Sequence, residues 1–347
     1  MRSSAPLAVL ALSLLALLAT LSTPASALPF PRWVPSLLSS SSSFLFGPLR
    51  QRAATTPTPT VCNGSAKFCG RKFSNYTFIG THDSYAISSW NLAANQDVSI
   101  TTQLNAGIRM LQSQAHRSPN KTVTGVGIDL CHTNCVLYQG GALESYLAEV
   151  KAWMDKNPTE VLSLLIVNSD NLPASQFAQA FESTGLASKS YRPASGRATG
   201  TIARADWPTL GELISAGTPL VNFLASGADD SVPYLLSEFD KMAENAYDQL
   251  SSTPFNCSID RIAPGADPSQ LMFLANHFKD ARLLGSPIVV PDKLALPKTN
   301  SKAQVLADAN NCAKLHGRWP TFILVDFFNT PKKNGPLDAG AFINANA

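Results

Sequence analysis

Residues 78–84 read FIGTHDS, a short apolar run that ends in the polar residues Thr81, His82 and Asp83. Short, continuous apolar runs of this kind are typical of strands that are buried on both faces. The pattern recurs along the chain and predicts seven strands, at 77–80, 108–114, 126–130, 162–167, 220–224, 272–275 and 322–327.

Helical patterns lie between several of these runs. Leu143, Tyr146, Leu147 and Val150 recur at helical spacing, and residues 207–213 open a second helical segment. Strand and helix alternating in this way predict an α/β fold with a parallel sheet. No Gly-x-Gly-x-x-Gly turn follows the first strand, so a single closed (β/α)8 TIM-type barrel is favoured over an open doubly wound sheet. An eighth strand is weakly marked between 231 and 248, and the barrel is expected to be irregular there.

The composition divides the chain into four parts. Residues 1–27 combine Arg2, a Leu/Ala-rich run and small residues before Leu28, which predicts a secretory signal peptide in preference to a membrane-spanning helix. Residues 28–60 hold a serine run and a Thr/Pro repeat, a composition typical of a linker. We expect the barrel at 61–333 and a short C-terminal tail at 334–347.

The charge and cysteine content fit a secreted protein. The formal net charge is +3, a balance that predicts no nucleic-acid partner and no strong electrostatic attraction to membranes. Six cysteines in a secreted chain predict three disulfides, and proximity favours Cys62 with Cys69, Cys131 with Cys135 and Cys257 with Cys312. Four glycosylation sequons fit the same extracellular route: Asn63, Asn75, Asn120 and Asn256.

Polar side chains cluster where the predicted strands end. In a parallel barrel the active site lies at the carboxyl ends of the strands, so these residues are the candidates for chemistry. Four of the five histidines fall at such ends. The candidates are His82, Asp83, Gln112, Gln114, His116, His132, Asn168, Asn276, His277 and Asp326.

Alternation along the second strand separates its two faces. Gln112, Gln114 and His116 share one face, which we interpret as the barrel interior. Arg109 lies on the other face, where we expect it to point outward, toward a helix or into a structural ion pair.

The segment CHTNC at 131–135 has two interpretations. A Cys/His cluster is able to ligate zinc, but an oxidising compartment and the lack of a second Cys pair at metal spacing favour a small disulfide loop. Such a loop would hold His132 in a fixed orientation.

Several of these segments carry a family resemblance. Residues 78–84, 103–111 (QLNAGIRML) and 130–132 (LCH) resemble the X domain of phosphatidylinositol-specific phospholipases C. Secreted fungal proteins of that superfamily are still more similar, in the segments QSQAH at 112–116, LCHTNC at 130–135, IVNSD at 166–170 and LVDFFN at 324–329. The resemblance extends from Cys62 to Thr330.

The resemblance implies cleavage of a phosphodiester by two histidines. His82 would take the proton of an attacking hydroxyl, and His132 would protonate the leaving alcohol, which suits imidazoles that titrate near neutral pH. Asp83 or Asp326 would hold one of the rings in its tautomer.

The sequence departs from the family pattern where the phosphate is bound. The family uses an arginine or calcium-binding carboxylates there, whereas Gln112, Gln114 and Asn168 are neutral. We therefore expect no cofactor, and a calcium site is disfavoured because calcium prefers several oxygens with carboxylates among them.

Three functions are compatible with these residues. The first is a secreted phosphoric diester hydrolase acting on a phospholipid or a related phosphodiester, with transient contact to a membrane surface through loops of the barrel rim. The second is a non-catalytic barrel that binds a phosphorylated or lipid ligand. A glycosidase is disfavoured because no pair of carboxylates stands out at the strand ends. The oligomeric state is left open.

Overall fold

The computed structural model describes residues 59–119, 125–283 and 288–347. The predicted signal peptide and most of the predicted linker lie outside these residues. No helix in the described ranges has the length and apolar character needed to cross a bilayer.

The strands and helices alternate along the chain. The strands are β1 (Phe78–Thr81), β2 (Met110–Arg117), β3 (Ile128–Cys131), β4 (Gln139–Ala142), β5 (Leu162–Asn168), β6 (Leu220–Leu224), β7 (Leu235–Ser237), β8 (Met242–Asn245), β9 (Ile259–Arg261), β10 (Met272–Asn276), β11 (Asp280–Arg282), β12 (Val289–Pro291) and β13 (Phe322–Val325). The helices are α1 (Ile100–Ala106), α2 (Leu143–Lys156), α3 (Ala174–Ser183), α4 (Leu210–Ser215), α5 (Leu296–Thr299), α6 (Lys302–His316) and α7 (Pro336–Asn346).

Eight strands run parallel in one curled sheet, in the order β7-β6-β5-β2-β1-β13-β10-β8. Within the described residues no backbone pairing joins β7 to β8, so the sheet is not closed by hydrogen bonds as the predicted (β/α)8 barrel would be. Both strands fall in the weakly marked region 231–248, and residues 238–241 between them leave no space for a helix. The fold is therefore α/β with an irregular barrel-like sheet.

The third predicted strand takes a different direction from the one expected. β3 pairs antiparallel with the end of β2 and forms a hairpin with β4. The connection 118–127 is shorter than the dozen or more residues that a parallel crossover requires. β3 therefore runs back along β2, and this hairpin carries His132 toward the strand ends.

The predicted C-terminal tail is a helix. α7 packs on the sheet, with Ala339 and Ile343 fully buried, and Gly340 lies so close to Ile79 that a Cβ there would be 2.6 Å from the isoleucine side chain. The prediction of a tail at 334–347 was wrong because the small residues of this segment allow close packing that hydrophobic patterning does not mark.

The core has two layers. Apolar side chains from the strands fill the inside of the sheet, with Phe73 and Trp207 stacked at 5.1 Å at its amino-terminal end. A second layer packs between the sheet and the helices, and includes the helical positions predicted on α2. Gly80 allows β1 to lie close to β2, because a Cβ there would lie only 2.9 Å from the Met110 Cβ. These contacts fix the strand ends that carry the polar residues.

The structure shows the predicted disulfides and the surroundings of three of the four predicted glycosylation sites. The structure contains Cys62–Cys69, Cys131–Cys135 and Cys257–Cys312. Asn75 and Asn256 are exposed, whereas the Asn63 amide is bonded through both its nitrogen and its oxygen to the Val161 backbone. Asn120 lies outside the described residues.

Candidate active site

His82 and Asp326 meet because their strands are neighbours. β1 and β13 pair with Thr81 opposite Val325, so the next residue of each strand emerges at the same edge. The His82 Nδ1 lies 2.9 Å from the Asp326 Oδ1, and the Asn95 amide donates to the same oxygen at 3.0 Å. Asp326 is therefore the carboxylate that fixes the His82 ring, a choice that the sequence left open.

His132 reaches the same site from the β3–β4 hairpin. It directly follows Cys131, and the Cys131–Cys135 disulfide closes the turn around it. The His132 Nδ1 is 2.6 Å from the Ala93 carbonyl oxygen. Because a carbonyl can only accept, Nδ1 carries the proton and Nε2 holds the lone pair of the neutral ring.

Asp83 lies between the two histidines. Its Oδ2 is 3.6 Å from the His82 Nε2 and 3.5 Å from the His132 Nε2, and the carboxylate is fully buried. The centroids of the two rings are 6.3 Å apart. Both reactive nitrogens therefore face one small region, as two groups that exchange protons with a single phosphate must.

The two amides predicted to meet phosphate instead hold Asp83 and the His132 loop. The Gln112 Oε1 accepts from the Asp83 amide at 2.6 Å, which helps to fix a backbone with φ of 38°. Gln114 donates to the Asp83 Oδ2 at 3.0 Å and accepts from the Thr133 amide at 3.0 Å. Both side chains line the cavity, but their oxygens are already used as acceptors.

This donor set does not fit calcium. The side-chain oxygens of Gln112 and Gln114 accept from backbone amides, which leaves Asp83 as the carboxylate nearest to them. Calcium binds six to eight oxygens, and no cluster of three or more His, Cys, Asp or Glu in the described ranges is arranged for a metal.

The carboxylates control the protonation of His82. Burial lowers the pKa of His82, but the charges of Asp326 and Asp83 outweigh burial and raise the pKa from 6.5 to about 9. Burial raises the pKa of Asp83, and the two histidines partly offset it. Burial also raises the pKa of Asp280, near the site, to about 6. The acidic surroundings therefore favour the protonated ring of His82.

The site opens into a cavity of about 360 Å³. Phe278 forms one wall and stacks on His82 with a centroid separation of 3.8 Å and an interplanar angle of 3°. The polar residues of the cavity are His82, Gln112, Gln114, Thr133, Glu238, Glu244, Tyr247, Arg261 and Asn276.

Six predicted site residues are not among those that line this cavity. Asp83 and Asp326 contact His82, and His132 contacts Asp83, whereas the other three lie elsewhere. The Asn168 amide bonds to the backbone of Leu172 and Ser226, and it shapes the loop after β5. His116 pairs with Asp170 at 3.4 Å, beyond the cavity wall. His277 is buried behind β10, where its Nε2 is 3.0 Å from Asp308. None of these three side chains lines the cavity in which substrate contact was predicted.

Strand alternation explains why two of these side chains point away from the cavity. Val167 lines the cavity and Asn168 does not; Asn276 and Phe278 line it, and His277 between them points away. The alternation that placed Gln112 and Gln114 correctly would have found Phe278. The contact of Asn95 with Asp326 could not be predicted in this way, because Asn95 lies in a loop with no strand alternation and is 231 residues from Asp326 in sequence.

Comparison with known proteins identifies the family of this chain. The family model described as PI-PLC X 1 matches residues 68–335. The chain belongs to this family. A PI-PLC X domain-containing protein 1 of Arthroderma benhamiae is 36% identical over 82% of this chain and 90% of its own length. An uncharacterized secreted protein of the same fungus is 38% identical over 81% of this chain and 64% of its own length.

A solved structure supports the fold. Phosphatidylinositol-specific phospholipase C from Staphylococcus aureus superposes with a TM-score of 0.52, covering 80% of this chain and 95% of that one. At 14% sequence identity, this similarity shows a shared fold.

Proposed function

We propose that this PI-PLC X family member is a secreted phosphoric diester hydrolase that cleaves a phosphoinositide-type phospholipid. One observation carries the proposal. Two imidazoles, each fixed through Nδ1 by a different acceptor, direct their Nε2 atoms at the same buried carboxylate beside a cavity.

The geometry suits a two-step proton transfer. His82 Nε2 takes the proton of a headgroup hydroxyl as that oxygen attacks phosphorus, and Asp326 stabilises the imidazolium that forms. The bond from phosphorus to the glycerol oxygen breaks, and His132 Nε2 delivers a proton to that oxygen. The products are a cyclic phosphate and a diacylglycerol.

Protonation states limit this chemistry. His82 acts as a base in its neutral form, and a pKa of about 9 makes that form a minority at neutral pH. His132 must begin protonated to act as the acid, and its Nε2 lies 3.5 Å from the Asp83 Oδ2. An imidazolium next to the phosphate also supplies the positive charge that Gln112 and Gln114 lack.

The rim of the site supports a lipid substrate over a soluble diester. Trp90, Val136 and Leu294 are 84%, 96% and 95% exposed, in three separate loops. The first loop contacts His132 through Ala93. Val136 follows the disulfide loop of His132, and Lys293 donates to the Ser89 carbonyl at 3.4 Å.

Two of these three loops carry no charged residue, whereas Asp292 and Lys293 directly precede Leu294 in the third. Residues 84–96 and 133–143 contain no Asp, Glu, Lys or Arg. Exposed apolar tips on uncharged loops suit insertion into the interface of a bilayer. We therefore propose that these loops touch the membrane while the headgroup enters the cavity.

Turnover of phosphatidylinositol vesicles tests the function. We expect phosphorus NMR to show a cyclic inositol phosphate with the wild-type protein, with and without chelator. His82→Ala and His132→Ala should each lower the rate by about 100-fold or more, because each removes one proton-transfer group. His316→Gln, a histidine outside the cavity, is the control.

The alternatives give different results. Unchanged product formation in His82→Ala would refute the mechanism. Vesicle binding without turnover would favour the non-catalytic barrel, and loss of turnover with chelator would establish a metal requirement.

A further inference from the structure

A second cavity lies on the face of β10 opposite to the paired histidines. Asn276 and Phe278 line the cavity beside His82, whereas His277 between them lines the second one. Among the described residues, none lines both cavities. The second cavity has a volume of about 170 Å³ and is enclosed by the loop 251–255, the end of β10 and the helices α5 and α6. A cavity of that size suits a small ligand group.

His277 brings an unused nitrogen atom to this cavity. Its side chain is 2% exposed, and its Nε2 lies 3.0 Å from the Asp308 Oδ2 on α6. The Gln304 amide donates to the same oxygen at 2.9 Å. The His277 Nδ1 is buried and makes no hydrogen bond to any described residue. Joining β10 to α6 requires only Nε2, and buried polar atoms are nearly always paired, so Nδ1 is available to a ligand.

Two lysines line the same cavity. The Lys279 Nζ donates to the Gln249 Oε1 at 3.4 Å and to the Thr253 carbonyl at 3.1 Å, which leaves one of its three donors for a ligand. Lys298, on α5, is exposed. Asp308 is the one carboxylate that lines the cavity in the described part of the chain, and it already accepts two hydrogen bonds. The lining is therefore positively charged even when the imidazole is neutral.

We propose that this second cavity binds a phosphate group, held by Lys279, Lys298 and the His277 Nδ1. The inference is independent of the proposed function, because it concerns a different cavity and a binding event without chemistry. Two lysines disfavour a cation. An anion in a partly buried cavity requires charged donors of the kind that the lysines supply.

The His277 Nδ1 selects phosphate among the anions. When Nε2–H donates to Asp308, the neutral ring presents a lone pair at Nδ1, and the protonated ring presents an N–H. Hydrogen phosphate and a singly ionised phosphate monoester have a P–OH group that donates and other oxygens that accept. They therefore pair with Nδ1 in both states of the ring, whereas sulfate and carboxylate ions only accept.

Free phosphate and the phosphate of a membrane lipid share this chemistry. Leu294, one of the exposed side chains at the rim, directly precedes Ala295, which lines the second cavity. The cavity therefore begins one residue from the loops that we propose touch the membrane. A soluble probe and a vesicle probe separate the two sources.

Calorimetric titration with sodium phosphate tests the site in solution. The full secreted chain carries His82→Ala in every titration, because this substitution removes one of the two imidazoles that would hold phosphate in the other cavity. At pH 7 and constant ionic strength, we expect phosphate to bind at least about 10-fold more tightly than sulfate, the scale of one buried hydrogen bond. Equal affinity for the two ions would overturn the assignment to phosphate.

Two further substitutions change the lining. His277→Gln keeps an amide that can donate to Asp308 and removes Nδ1, and Lys298→Ala removes an exposed ammonium group. Each should weaken phosphate binding by about 10-fold. Lys298→Ala should keep the thermal midpoint, so its loss of binding cannot come from misfolding. Lys314→Ala, at an exposed lysine on α6, changes the net charge equally and is the matched control.

Sedimentation with phosphatidylcholine vesicles, with and without phosphatidic acid, identifies the source of the phosphate. Stronger binding to phosphatidic acid that both His277→Gln and Lys298→Ala remove supports a lipid phosphate. Variant-sensitive binding of sodium phosphate alone supports a soluble one. The proposal is refuted if neither probe shows binding that these two variants weaken, or if Lys314→Ala weakens it as much as Lys298→Ala does.

Discussion

Replacing Asp326 by asparagine should change both the rate of cleavage and its dependence on pH. Asp326→Asn keeps the shape of the side chain and removes its charge. The Asn95 amide donates to the same Oδ1 that contacts His82, so the new amide should keep its oxygen toward the ring. The His82 tautomer is then preserved, and the effect is mainly electrostatic.

The magnitude follows from the contacts of His82. A pKa raised from 6.5 to about 9 corresponds to about 3 kcal/mol of net stabilisation of the protonated ring, and Asp326 is the largest source of that rise. A hydrogen bond to a charged group contributes about 1.5–3 kcal/mol. Loss of that charge should therefore lower the rate at high pH by roughly 10- to 150-fold.

The loss of rate in Asp326→Asn should be smaller at low pH than at high pH. A general base acts when it is neutral, so the contribution of His82 to kcat/KM of the wild type should rise with pH up to about 9, whereas the need for a protonated His132 is common to wild type and variant. In Asp326→Asn the rise should end at least about one pH unit lower, because the carboxylate no longer favours the imidazolium. The deficit of the variant should therefore be about 10-fold smaller at pH 7 than at pH 10.

The assay is release of soluble phosphate ester from detergent-dispersed phosphatidylinositol between pH 5.5 and 10. Asp170→Asn is the control, because Asp170 pairs with His116 outside the cavity. An unmoved profile in Asp326→Asn would contradict the coupling of His82 to Asp326.

Two further predictions concern the surface. Trp90→Ser and Val136→Ser should each weaken binding to phosphatidylcholine vesicles by about 10-fold, with little effect of salt. Leu315→Ser, at an exposed position on α6, should not weaken it. Equal binding of all three variants in a sedimentation assay would contradict the proposal that these loops touch the membrane. Mass spectrometry of the secreted protein should find glycan at Asn75 and none at Asn63, because the Asn63 amide is held by the Val161 backbone, and an occupied Asn63 would contradict this.

The sequence determined which polar residues lie at the carboxyl ends of the strands, where the candidate active site is. An apolar run followed by polar residues is a local pattern, and it identified His82, Asp83, His132 and Asp326. The disulfide loop around His132 is local as well, since four residues separate its cysteines. The outward ion pair of Arg109, now seen with Glu160 at 2.8 Å, followed from strand alternation.

Only the tertiary structure decided how these residues are paired. Asp326 contacts His82 from 244 positions away, through the register of β1 with β13, and no local pattern sets that register. The reversed direction of β3 came from a short connection, and Glu238 faces the cavity because of the irregular region where β7 meets β8. Local periodicity specifies which way a side chain leaves its strand, whereas its partner depends on packing between segments far apart in the chain.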